Sequence, residues 1–102
     1  DLDSDEWYNL GLDLEEVDPR RAPEAYQRAI ELNPANADAH VNLGRLLQLK
    51  GKLKQAKRHY EKALEAVKDS GNAMMIESLT AAIEGREANL NLPELPDGIA
   101  KF

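Results

Sequence analysis

A repeat with a period of about 34 residues runs through the first two-thirds of the chain and decides most of what it can fold into. Leu10-Gly11 returns as Leu43-Gly44, and Ala22, Tyr26 and Ala29 return one period later as Ala56, Tyr60 and Ala63. Self-similarity of this kind marks a stacked-repeat architecture, in which each unit buries its apolar face only against its neighbours. Within each unit, apolar and small residues stand at helical intervals: Trp7, Leu10, Gly11 and Leu14, then Leu43, Gly44 and Leu47. Turn signals fall inside the units at Asp18-Pro19 and Lys50-Gly51-Lys52, and between them at Asn33-Pro34-Ala35-Asn36. Four helices are predicted, over 5–17, 21–32, 37–50 and 53–69.

Composition agrees with one small helical unit. The chain has 102 residues, enough for a single modest core, and with 42% apolar residues but only 5% aromatic ones that core is made of Leu, Ile, Val and Ala. No apolar run reaches the roughly 20 residues of a membrane span. The opening Asp1-Leu2-Asp3-Ser4-Asp5 resembles neither a signal peptide nor a native start. The chain therefore reads as a soluble piece of something longer, with no membrane partner and the cytoplasm as its expected location. The absence of cysteine removes disulfides and thiol chemistry, and a net charge of −6 disfavours nucleic acid as a partner.

Three irregularities modify the repeat. Unit one is a residue short between Leu10 and Tyr26, with Pro19 and Pro23 near the start of its second helix, which predicts a tight or irregular turn there. Lys68 replaces Pro34, so the helix from Lys52 is free to run to Asp69 or Ser70. After Gly71-Asn72 no further Leu-Gly appears. Instead Met75, Ile76, Leu79, Ala82, Ile83 and Leu90 form one helical stripe with Asn72 as N-cap, read as a terminal capping helix. The last stretch, with Pro93, Pro96 and Gly98, cannot continue that helix.

These residues resemble the tetratricopeptide repeat family. The likeness rests on Trp7, Leu10, Gly11, Leu14, Ala22, Tyr26, Ala29 and Pro34 in unit one, and on His40, Leu43, Gly44, Leu47, Gly51, Ala56, Tyr60 and Ala63 in unit two. It implies an all-α fold, a right-handed array of antiparallel helix pairs with about five helices. The expected division is repeat one over 4–36, repeat two over 37–70, a capping helix over 72–90, and an extended tail or linker over 91–102. Gly and Ala mark close helix approach, so the pattern is a signal of packing rather than of chemistry.

A search for chemistry returns nothing. His40 and His59 lie on different predicted helices without a cysteine, and His40 takes a core position of the family while His59 falls in a lysine-rich, surface stretch. Acid pairs such as Glu15-Glu16 point to different sides of a helix and read as solvated. Neither a dinucleotide-binding nor a Walker-type glycine loop is present. The expectation is a chain with no enzyme activity, no cofactor and no metal.

The resemblance implies instead a concave groove, lined by the first helix of each pair, that binds a peptide or helical segment of another protein. Its candidate residues are Asp5, Tyr8, Leu12, Glu15 and Glu16 from unit one, and Asp38, Val41, Asn42, Arg45 and Leu49 from unit two. The basic clamp by which some members hold a chaperone's terminal carboxylate is not matched, since only Asn42 stands at one of its positions. Charge is bipolar, with eight acids and no base through Pro19, then eight Lys or Arg against two Glu from Arg45 to Lys68. Self-association or a structural role inside a larger protein is the alternative, and the tail is a candidate to dock on the helices.

Overall fold

The computed structural model describes residues 1–85, and among them the regular secondary structure is all helical: α1 (Ser4–Val17), α2 (Ala22–Leu32), α3 (Ala37–Leu49), α4 (Leu53–Val67) and α5 (Ala73–Glu84). α1 packs on α2 and α3 on α4 as two helix pairs, α2 joins α3 between them, and α5 closes the array on α4. The expected all-α repeat array is the observed one.

α1, α3 and α5 start where the sequence provides an acceptor for the orphan N–H groups of the first turn, whereas α2 and α4 begin without a side-chain cap. Asp3 caps α1 reciprocally: Glu6 N donates to Asp3 Oδ1 at 2.8 Å and Asp3 N donates to Glu6 Oε1 at 2.8 Å. Asn36 and Asn72 cap α3 and α5, accepting from Ala39 N and Met75 N at 3.1 Å. The proline-rich start of α2 is irregular as expected: Pro19–Arg21 form a single 3-10 turn, and α2 begins at Ala22 with Pro23 in its first turn, where its missing N–H costs no helical bond. One boundary differs. α4 stops at Val67 rather than running to Asp69 or Ser70, because the Ser70 hydroxyl and amide both return to the Val67 carbonyl and Gly71, at φ 81°, reverses the chain.

The core is two linked clusters, one around Tyr26 and one around Tyr60. Ala22, Tyr26 and Leu43 are buried with Tyr8, Leu14 and Ile30 around them; Ala56, Tyr60, Ala63 and Leu79 are buried with Val41, Leu64, Val67 and Met75. Leu47 packs against both. The repeated glycines explain the repeated tyrosines. Tyr26 lies across Gly11 and Tyr60 across Gly44, each ring in the space where a Cβ would stand. Leu79 brings α5 onto the second cluster, burying the face that the second repeat would otherwise leave bare. α5 ends on Gly85 in the left-handed region. The part of the expected capping helix beyond it, with Leu90, and the tail residues Pro93, Pro96 and Gly98 lie outside the described residues. No described helix is long and apolar enough to cross a membrane.

Candidate functional site

The face shared by α1, α2 and α3 is joined by a polar network built on a core residue. Tyr26 is buried to its ring, but its hydroxyl reaches α1 and donates to Glu15 Oε2. Arg45, from α3, places Nη2 at 2.9 Å from Glu15 Oε1 and 2.7 Å from Oε2. Asn42 Nδ2, one turn before Arg45, lies 3.3 Å from the Tyr26 hydroxyl and 3.4 Å from that of Tyr8. The Tyr8 and Tyr26 rings pack with centroids 5.8 Å apart. One carboxylate thus ties three helices together.

Electrostatics follow this geometry. Burial of the Glu15 carboxylate works to raise its pKa, but the hydrogen bonds from Arg45 and Tyr26, with the guanidinium charge, outweigh it and hold Glu15 below its ordinary value. Tyr26 is raised well above the usual phenol value, first by burial and then by donating to Glu15. Tyr8 is raised by burial and by the negative charge of Asp38. At neutral pH both phenols therefore stay protonated donors, and Glu15 and Arg45 stay charged.

The second repeat copies the contact with a neutral partner. Tyr60 donates to Gln48 Oε1 at 2.7 Å, and Gln48 stands one period after Glu15 much as Tyr60 stands one period after Tyr26. Beside it a recess of 240 Å³ opens between α3 and α5, lined by Val41, Arg45, Gln48, Tyr60, Ser78 and Leu79.

The structure sorts the expected groove residues. Tyr8, Glu15, Asn42 and Arg45 come together in the network, and Val41 joins Arg45 in the recess. Leu12 is 40% exposed and Asp38 is exposed. Leu49, 76% exposed, lines a different depression with Pro19, Pro23 and Leu46. Tyr8 and Val41 are half-buried, so they pack as well as present a surface. Asp5 and Glu16 are exposed. Sequence reasoning assigned Tyr26 to the core alone and missed its hydroxyl.

His59 corrects an expectation. It is half-buried rather than a surface residue, with its Nδ1 at 3.0 Å from Nδ1 of the buried His40, whose Nε2 lies 2.8 Å from the Pro34 carbonyl. Their distance along the chain hid the pair, which meets because α3 and α4 are antiparallel neighbours. Among the described residues no group of three or more His, Cys, Asp or Glu is placed to hold a metal ion.

Comparison with known proteins adds two findings. The tetratricopeptide repeat family model matches residues 25–58, one full period beginning in α2 and ending in α4. Over 50 residues the chain is 44% identical to protein O-mannosyl-transferase TMTC1 of Homo sapiens, a match covering 49% of this chain and 6% of that protein. Over 50 residues it is 38% identical to the protein of the same name from Mus musculus, covering 49% of this chain and 5% of that one. The chain therefore spans a small fraction of the length of these relatives. Their name overturns the expectation of a chain with no enzyme activity: the proteins it matches are transferases, and the missing catalytic motif in one short repeat segment does not decide the activity of the whole.

Proposed function

We propose, for a chain built of tetratricopeptide repeats, that its concave face is a peptide-binding groove that receives an extended or helical segment of a partner protein. Such a repeat is a protein-interaction module in general, and what supports the finer reading is the Glu15, Tyr26, Arg45 and Asn42 network. It fixes polar side chains from three helices on one surface, beside exposed Leu12 and the recess at Val41. Asn42 spends its amide protons on the two tyrosines, and its carbonyl oxygen has no partner among the described residues. That oxygen is positioned to accept a backbone N–H from a bound peptide, while Leu12 and Val41 supply apolar anchors.

The test is selection of peptides from a random library displayed against the chain. Peptides that bind the groove lose at least about 2 kcal/mol on Leu12→Ala combined with Arg45→Ala and under about 1 kcal/mol on Lys54→Ser. Selected peptides indifferent to the first pair would remove the groove from consideration.

The identity with the transferases favours a second reading, in which the array is a segment of a protein O-mannosyl-transferase and its groove holds the protein acceptor. On this reading Arg45→Ala in the whole protein lowers transfer to protein acceptors, and unchanged transfer removes it. Repeat limits of 4–36 and 37–70 with a cap over 72–90 are the division we adopt for both readings.

A further inference from the structure

A second recess shares no lining residue with the Glu15, Tyr26, Asn42 and Arg45 network. It lies between α2 and α4, has a volume of 460 Å³, and is lined by Gln27, Ile30, Pro34, His40, His59 and Lys62 among others. Its apolar wall is Ile30 and Pro34. Its charge is positive, because Lys62 and the neighbouring Arg58 have no ion-pair partner among the described residues, whereas Glu65, which also lines it, is engaged by Lys68 at 2.8 Å.

The histidine pair gives this recess a defined proton inventory. The Pro34 carbonyl can only accept, so His40 Nε2 carries hydrogen and neutral His40 offers the lone pair of Nδ1. His59 Nδ1–H donates into it, leaving His59 Nε2, on the far edge of its ring from His40, without a proton. A first added proton settles on His59 Nε2 and breaks neither bond. A second would have to enter at His40 Nδ1 against the His59 N–H. The pair thus has one open position for a proton, and a second would be added only at the expense of the bond between the rings.

We propose that this recess is a second binding site, specific for a glutamate- or aspartate-bearing segment of a partner polypeptide, and that occupancy couples to protonation of the histidine pair. The apolar wall holds the segment's hydrocarbon, and the carboxylate answers Lys62, Arg58 and protonated His59. The lining has no Phe, Tyr or Trp on which a base could stack, which favours peptide over nucleic acid. In the empty site burial comes first in holding both imidazoles below their ordinary value, with Lys62 lowering both and Arg58 and His40 also lowering His59. The uncharged Gln27 and Ile30 are what α2 presents, His40 is the contribution of α3, and Arg58, His59, Lys62 and Glu65 that of α4. A bound carboxylate reverses this balance and favours the imidazolium.

The experiment uses the full 102-residue chain and a labelled, end-blocked peptide of alternating glutamate and leucine, followed by fluorescence anisotropy at fixed ionic strength. Glutamate is ionised throughout the pH range 6 to 8, so the peptide itself does not titrate. Each unit by which the carboxylate raises the histidine pKa is a tenfold ratio, and binding is expected to be about three- to tenfold tighter at pH 6 than at pH 8. Lys62→Ser, an exposed change that leaves the fold intact, is expected to weaken binding about fivefold at both pH values, and His59→Gln to bind without pH dependence. Amide chemical shifts are expected to move at Ile30, His59 and Lys62. Affinity that is flat between pH 6 and 8, indifference to Lys62→Ser, shifts confined to Asn42 and Arg45, or displacement of the peptide by an equally charged oligonucleotide would each overturn the proposal.

Discussion

Gly44 lies under the ring of Tyr60 so closely that a Cβ at this position would stand 2.9 Å from Cε1 and 3.2 Å from Cδ1. Tyr60 has little freedom to withdraw, since its ring is buried with Ala56 and Ala63 and its hydroxyl is bound to Gln48. Gly44→Leu is therefore expected to destabilise the fold by about 2–3 kcal/mol or more, read as a lowered urea midpoint with unchanged slope. Ala63→Leu, at a fully buried site in the same cluster, should act alike. Near-native melting of both would mean that the two helices have room to part.

Loss of the Glu15 carboxylate leaves the Tyr26 hydroxyl and the Arg45 guanidinium without their common acceptor. Glu15→Ala is expected to cost about 1–2 kcal/mol, the lower end applying because Arg45 stays in contact with water. The pH dependence has a fixed sign. The folded state holds the Glu15 pKa below 4.5, so its contribution is complete above that pH and is lost as pH falls through the lower folded value. A carboxyl titration by NMR should show the Glu15 midpoint rising in Arg45→Ala; an unmoved midpoint would detach Arg45 from Glu15 in solution.

The histidine pair shifts stability in a second window. Burial lowers both folded pKa values below 6.5, so the unfolded chain takes up protons first and stability declines as pH drops below about 6.5. Melting temperature should fall between pH 7 and pH 5, and the fall should be smaller in His59→Gln. An equal fall in wild type and variant would place the acid sensitivity elsewhere.

Removal of the residues after Ser70 takes away Leu79, Met75 and Ile83 from the cluster of Ala56, Tyr60 and Ala63. A chain of residues 1–70 should therefore expose an apolar face and associate, measured by sedimentation velocity. A folded monomer would show that α5 is dispensable.

The repeat period made the fold legible, since it placed glycine and alanine at close contacts and so fixed which helices pair. Helix ends marked by asparagine or proline were read to within a residue, whereas the end of α4 was not, because Lys68 is neutral about whether a helix continues and Gly71 acts only further along the chain. The site was read in part. Glu15, Asn42 and Arg45 were named alike as groove positions through the resemblance, but the bonds that join Glu15 to Arg45 and Tyr26 were not foreseen, and the phenol that completes the network was classed as core. Sequence position distinguishes buried rings from exposed ones poorly when one side chain is both, as Tyr26 is. His40 with His59 shows the same limit: a contact between antiparallel helices has no fixed spacing in sequence.

Ser4 Oγ donates to the Ala29 carbonyl at 2.7 Å and accepts from Asn36 Nδ2 at 2.9 Å, while Asn36 also caps α3. The outermost turn of α1 is thus latched to the end of α2 and to the start of the next repeat by a single relay. Fraying from the amino end is therefore not confined to α1: peeling it away takes from Asn36 the hydroxyl that holds its Nδ2, while the Oδ1 of the same amide is the cap of α3. The first helix is thereby tied to the second repeat through a side chain that already serves that repeat's own start.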